Sequence, residues 1–298
     1  MAKPRHDPAQ PPRAQVPPPT HRWLPLAVAA IAFVAVGSLV IIQTLPKRGQ
    51  VAWARLGTQD VHSLSFVGGD TQHLLFGHHR GVLQSIDGGR TWTALSVRDD
   101  AMSLTRADDG SIVIAGHLVL SGSSDGGLTW APIPADLPSL DIHGFTRDPS
   151  DPTRMWADLA TGGLWESRNG GVNWVLVRPD NVVFPLAVSD GSTTTLLAVD
   201  ATGLVASTDG GRTFTTRGEP PTYPMTSLSA ATGGQTLYVG AVDGLFRSGD
   251  GGRTWASTGY TGSALAVATS PDGATVAVVS RETEFYRSSD RGATWTGP

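Results

Sequence analysis

The chain has 298 residues, of which 36 are Gly and 21 are Pro, a share that excludes long helical bundles. It has no Cys, which excludes disulfide staples, zinc ribbons, iron–sulfur clusters and thiol nucleophiles together and leaves His, Met and carboxylates as the only metal ligands. The net charge of −4 hides a split: residues 1–22 carry Lys3, Arg5, Arg13 and Arg22 against Asp7, whereas residues 49–298 carry 16 Arg, no Lys and 25 acids, a balance that argues against nucleic acid as a partner.

In chain order, residues 1–22 hold 7 of the 21 prolines and almost no large apolar side chain. They are expected to form a disordered, basic tail, because such a composition cannot bury a core. Residues 23–45 (WLPLAVAAIAFVAVGSLVIIQTL) carry no charge over 23 positions. That is enough to cross a hydrocarbon core of about 30 Å at about 1.5 Å per residue, so the segment is predicted as one transmembrane helix acting as a signal anchor. A cleaved signal peptide is the alternative; the length of the stretch and the lack of a clear small-x-small site at its end speak against it. Four Lys/Arg before the span against Lys47 and Arg48 after it favour a cytoplasmic amino terminus, a single-pass protein of the cell membrane, and a body outside the cytoplasm. Residues 46–60 read as a linker containing a candidate ring-closing strand, VAWARL at 51–56.

From residue 61 to 298 one pattern recurs six times: SIDGGRTW at 85–92, SSDGGLTW at 123–130, SRNGGVNW at 167–174, STDGGRTF at 207–214, SGDGGRTW at 248–255 and SSDRGATW at 288–295. Its third positions, Asp87, Asp125, Asn169, Asp209, Asp250 and Asp290, are spaced by 38, 44, 40, 41 and 40 residues. Ser and Asp can bond nearby backbone amides, the glycines accept positive φ, and the Trp or Phe enters the next strand as a buried anchor. Each unit opens with a short strand of alternating small and apolar residues (HSLSF, MSLTR, HGFTR, FPLAV, TSLSA, SALAV), and two more strands joined through Gly precede the motif. Four strands in each of six units of about 40 residues predict an all-β, six-bladed propeller.

The six copies resemble the Asp-box, or BNR, repeat of sialidases, sortilin-type receptors and photosystem-assembly propellers. More narrowly, VHSLSF, GHHRG, AGH and IHGFTRDPSDPTRMW resemble bacterial membrane-anchored, sialidase-like propellers labelled as glycosyl hydrolases. The resemblance implies that the six Asp/Asn positions are structural and lie opposite the ligand face. Sialidase chemistry would further require three clamping Arg, a Tyr nucleophile polarised by Glu, and an acid. The chain has no F/Y-R-I-P motif, only Arg106 and Arg147 at equivalent positions in blades two and three, four Tyr (Tyr223, Tyr238, Tyr260, Tyr286) and four Glu (Glu166, Glu219, Glu282, Glu284). Catalytic residues are therefore not assigned, and enzyme activity is not the favoured expectation.

The histidines carry the sharper signal. All eight lie in the first half of the chain. His62 and His143 open the first strands of blades one and three, with Met102 at the same place in blade two, and each is preceded two residues earlier by an acid, Asp60, Asp141 and Asp100. His79 and His117 both stand six residues before a motif Ser, with His78 beside the first. Propeller topology should bring these two sets to one rim, opposite the repeated turns. His62, His78, His79, Met102, His117 and His143 are thus a candidate transition-metal site for Cu or Zn, with the aspartates orienting the rings. A non-metal ligand site for a glycan or protein and plain rim structure are the alternatives. Pairs of acids in DPSDP (148–152) and at Asp108–Asp109 read as turns, and Glu282 and Glu284 as one face of a late strand. The expected function is a monomeric, membrane-anchored binding module outside the cytoplasm; the alternatives are a sialidase-like glycoside hydrolase and an assembly factor.

Overall fold

The computed structural model describes residues 51–106 and 109–297. The tail, the apolar segment 23–45 and Asp108 lie outside them; among the described residues no helix is long and apolar enough to cross a membrane. In chain order β1 is Ala54–Arg55. Blade one is β2 (Ser63–Val67), β3 (Asp70–His78), β4 (Gly81–Ser85) and β5 (Thr93–Ala94). Blade two is β6 (Ser103–Arg106), β7 (Ile112–Gly116), β8 (Val119–Ser123) and β9 (Ala131–Pro132). Blade three is β10 (Ile142–Arg147), β11 (Met155–Leu159), β12 (Gly163–Ser167) and β13 (Trp174–Arg178). Blade four is β14 (Val183–Ser189), β15 (Thr194–Asp200), β16 (Gly203–Ser207) and β17 (Thr215–Gly218). Blade five is β18 (Ser227–Ala230), β19 (Leu237–Gly240), β20 (Leu245–Ser248) and β21 (Ala256–Ser257). Blade six is β22 (Ala266–Thr269), β23 (Val276–Val279) and β24 (Glu284–Ser288). These strands form six antiparallel four-stranded sheets, and the fourth strand of blade six is β1 from the other end of the ring, with Ala54 opposite Phe285 and Arg55 opposite Glu284.

The first strands of successive blades lie against one another around the ring and enclose a cavity of ≈ 580 Å³. Apolar residues of neighbouring sheets fill the space between blades. Leu75 and Val82 of blade one pack with Leu104, Ile112 and Ile114 of blade two, and Leu237 and Val239 of blade five pack with Leu197, Val199 and Leu204 of blade four. A single four-stranded sheet has two apolar faces, so it is stable only between two others, and the ring satisfies every blade at once.

The repeated turn is a small hydrogen-bonded unit. In blade one Ser85 Oγ donates to Asp87 Oδ1 (2.9 Å) and accepts from the Gly89 amide (2.8 Å), Asp87 accepts from the Thr91 amide and hydroxyl (2.9 and 2.6 Å), and the Trp92 indole donates to the Gly89 carbonyl (3.0 Å). The serine and aspartate bonds recur at Asp125, Asp209, Asp250 and Asp290. At Asn169 the partner threonine is replaced by Asn173, whose amide donates to the Asn169 side chain (2.9 Å). The second glycine of the turn meets the adjacent blade. Gly89 has φ 95°, and a Cβ there would lie 2.0 Å from the Phe285 ring of blade six.

The Thr91 and Thr129 hydroxyls and amides hold the Asp87 and Asp125 carboxyls at about 2, below the ordinary 3.8. A carboxylate depressed in the fold stabilises it above its unfolded value and stops doing so as pH falls through the folded one. The melting temperature is therefore expected to fall between about pH 4 and pH 2, which a circular-dichroism melt at each pH would read. A flat profile across that window would contradict the assigned role.

Two acids differ from the sequence expectation. Thr283 has φ 55° and belongs to the turn before β24, so Glu282 and Glu284 do not share a strand. Glu284 instead pairs with Arg55 across the ring closure (2.6 Å) and accepts from the Tyr286 hydroxyl (2.6 Å). The DPSDP segment is a turn: Asp148 accepts from the Ser150 amide (3.0 Å) and hydroxyl (2.7 Å), and Asp151 accepts from the Thr153 amide (3.1 Å).

Candidate functional site

The site lies where β2, β6 and β10 begin and β3 and β7 end, so antiparallel pairing brings the two histidine sets to one rim, while the repeated turns, at the ends of the third strands, fall on the opposite face. Close backbone approach is needed to assemble it. A Cβ at Gly77 would lie 2.4 Å from the Ala101 carbonyl, and one at Gly116 would lie 2.4 Å from the Asp100 carbonyl. Only glycine lets the connection between blades run that near to the histidine-bearing strand ends. In blade three the pairing of β10 with β11 shifts between Ile142 and Gly144, leaving His143 as the extra residue of a bulge, with an exposed side chain.

Four imidazoles and three carboxylates meet there. Asp60 Oδ2 accepts from the His79 amide (2.6 Å) and lies 2.7 Å from His79 Nδ1 and 3.2 Å from His62 Nε2. The His62 Nε2 and His79 Nδ1 atoms contact each other, with the rings stacked at 4.3 Å. Asp100 Oδ2 lies 2.7 Å from His117 Nδ1, and its Oδ1 faces blade one at 3.5 Å from His62 Nε2 and 3.8 Å from His79 Nδ1. His117 Nε2 lies 3.3 Å from His143 Nε2, and Asp141 Oδ1 is 3.6 and 3.3 Å from those two nitrogens. Asp60, His62 and His79 form one group whose ligand atoms all lie within 4.8 Å of one another, and His117, Asp141 and His143 form a second. Asp100 Oδ1 and Asp141 Oδ1 are buried atoms without a hydrogen-bond partner, an expensive state for a carboxylate oxygen that a bound cation would relieve. Burial holds the His62 imidazolium below its usual range, partly offset by the charge of Asp100, which favours the neutral ring that binds metal. Burial would raise the Asp60 carboxyl, but hydrogen bonds from the His79 amide and ring outweigh it and keep the group ionised.

Of the six residues singled out in the sequence, His62, His79, His117 and His143 come together. His78 does not enter either group: its ring stacks on Phe76 at 5.9 Å and its Nδ1 accepts from the Arg80 amide (3.3 Å). Met102 lines the channel wall, as does His143. Of the three aspartates, read from the sequence as orienting groups, Asp60 and Asp141 stand among the donor atoms themselves, and Asp100 contacts the His117 ring at 2.7 Å. The bulge at His143 and the sharing of Asp100 between blades were not foreseen; the Gly-His pairs 77–78 and 116–117 were the available signal for the close approach.

The channel is a different environment. Its wall carries Leu64, Leu104, Phe145, Leu186 and Leu228, and no Asp or Glu is among its described residues. Arg147 reaches it, but its guanidinium is committed to Thr105 Oγ1 (3.1 Å), Ser111 Oγ (3.0 Å) and the Ser111 carbonyl (2.7 Å), and burial lowers its pKa to about 10. The Tyr286–Glu284 pair sits at the ring closure, where burial and the neighbouring carboxylate push the phenol up, opposite to what a nucleophile needs.

No protein-family model and no curated protein matches the chain. Among solved structures it is similar to the GH74 enzyme of Niastella koreensis, with 20% identity and TM-score 0.52 over 79% of this chain and 46% of that one. It is similar to the GH74 xyloglucanase of Xanthomonas campestris, with 16% identity and TM-score 0.52 over 80% and 47%. It is also similar to YCF48 from Cyanidioschyzon merolae, with 19% identity and TM-score 0.50 over 82% and 87%. The chain spans about half the length of the two GH74 enzymes. These likenesses establish the fold: it is a β-propeller. At such identities they carry nothing about activity.

Proposed function

We propose that this chain is a metal-binding propeller module, anchored by residues 23–45 with the propeller outside the cytoplasm, and that the rim of blades one to three takes a divalent transition metal on His62, His79, His117, His143 and the neighbouring aspartates. The observation that carries this reading is the convergence of four imidazoles on buried carboxylate oxygens that have no other partner. Nitrogen and oxygen donors without sulfur suit Zn or Cu(II), and imidazole is the common ligand of both. In this reading the repeated turns are the Asp-boxes of the resemblance and serve structure only.

Glycoside hydrolysis is the competing reading. It needs two carboxylates about 5–9.5 Å apart across a bound sugar, and the channel wall offers none among its described residues. Incubating the purified full chain with zinc or copper, removing the excess and measuring metal content tests the proposal: at least one ion per chain is expected, and a metal-free chain that turns over fluorogenic glycosides would overturn it.

Gly116→Ala gives an independent check, because it removes no donor. Its Cβ would displace the Asp100 backbone, and second-sphere disturbances of this kind cost about 10–100-fold in metal affinity. A zinc titration of this variant should read a loss in that range; wild-type affinity would contradict the positioning argument.

A further inference from the structure

We propose that the rim holds two metal ions, one on Asp60, His62 and His79 and an open one on His117, Asp141 and His143, coupled through the contact between Asp100 and His117. This rests on the metal-binding reading above and adds its number of ions, its ligands and the class of molecule it takes. The argument is geometric. A tetrahedral zinc at about 2.0–2.1 Å from each donor sets its donors about 3.3–3.4 Å apart. In the second group the three separations are 3.3, 3.3 and 3.6 Å, three corners of such a tetrahedron. In the first group Asp60 Oδ2 lies 2.7 Å from His79 Nδ1 and 3.2 Å from His62 Nε2, and those two nitrogens contact each other, so a second set of three donors is gathered there.

One ion cannot serve both groups. His117 turns its Nε2 toward His143 and its Nδ1 toward Asp100 Oδ2 at 2.7 Å, so an imidazole and a carboxylate stand between the centres. Asp100 therefore faces both centres: its Oδ1 stands 3.5 and 3.8 Å from the His62 and His79 nitrogens, and its Oδ2 fixes the tautomer and orientation of the ring that ligates the second, as carboxylates behind metal-bound histidines do. The second centre has three protein donors, which leaves one position of a tetrahedron for a donor from outside the chain. His143 lines the channel, whose wall is apolar with Ser63, Ser103 and Ser227 hydroxyls among its polar groups. The ligand that fits is a molecule with one metal-binding head, an imidazole or carboxylate, and an apolar body.

The test uses cobalt(II), whose visible bands report tetrahedral coordination, on the full chain. Equilibrium dialysis of wild type should give two ions per chain, and Asp60→Asn and His143→Ala should each retain one. Adding imidazole should shift the cobalt bands of Asp60→Asn, which keeps the centre beside the channel. Circular dichroism verifies folding, and His79→Ala replaces Asp60→Asn if that variant does not fold. One ion in wild type that both variants lose would overturn the two-centre proposal and leave the metal-binding reading standing. No bound ion would overturn both, and unshifted bands in Asp60→Asn would overturn the open position at the second centre.

Discussion

Removing residues 51–56 from the full chain is expected to lower the melting temperature of the propeller by about 10–20 °C, since each kcal/mol is about 2–4 °C for a body of this size. The segment supplies the fourth strand of blade six, with the Trp53 amide donating to the Phe285 carbonyl (2.8 Å) and the Leu56 amide to the Thr283 carbonyl (2.9 Å). Leu56 is buried in the cluster between blades six and one, worth about 1.5–3 kcal/mol. The Trp53 ring lies under Arg90 at 4.8 Å and Arg287 at 5.7 Å, and each such contact contributes about 0.5–1 kcal/mol. Arg287 in turn bonds the Thr71 and Gly88 carbonyls of blade one (2.6 and 3.2 Å), so the segment seals the seam where the two ends of the ring meet. The exposed Arg55 adds little to this despite its 2.6 Å pair with Glu284. Deletion would leave β24 as an unpaired edge, and association at that edge should accompany the loss of stability. A shift smaller than about 3 °C, corresponding to roughly 1 kcal/mol, would mean that the ring does not depend on this closure.

His62→Ala and His143→Ala should each weaken zinc binding at the centre that loses its ligand by more than about 100-fold, because loss of a direct ligand exceeds the 10–100-fold effect of outer partners. His73→Ala is the control. It lies on the same strand as His78, but its Nε2 is 2.6 Å from the Gln84 amide nitrogen and it belongs to neither donor group. Competition with a chelating dye would read all three affinities, and equal loss in His73→Ala would place the metal elsewhere. Affinity should also fall on acidification, since imidazoles must be neutral to bind.

The six repeated turns were legible because each carries its whole hydrogen-bond set within eight consecutive residues, as from Ser85 to Trp92. The strand count and the rim position of the histidines followed from that register. The pairings within the rim were less accessible. Asp60 precedes His62 by two residues, yet its shortest contacts are to His79, because antiparallel pairing of β2 with β3 sets the start of one strand beside the end of the other. Asp100 serves blades one and two together, a relation between sheets that no local spacing encodes. His78 is adjacent to His79 in sequence, but alternation along the strand end sends its ring against Phe76 instead. The bulge that frees His143 lies beside a contact between blades, where Pro185 of blade four occupies the space a Cβ at Gly144 would fill, 2.6 Å away.

X-ray absorption at the zinc edge of the loaded full chain tests the central claim most directly. The account predicts nitrogen and oxygen neighbours at about 2.0–2.1 Å, no sulfur, and the multiple scattering of imidazole rings, reduced in His143→Ala. Bound zinc without imidazole scattering, or a chain that retains no zinc, would contradict it.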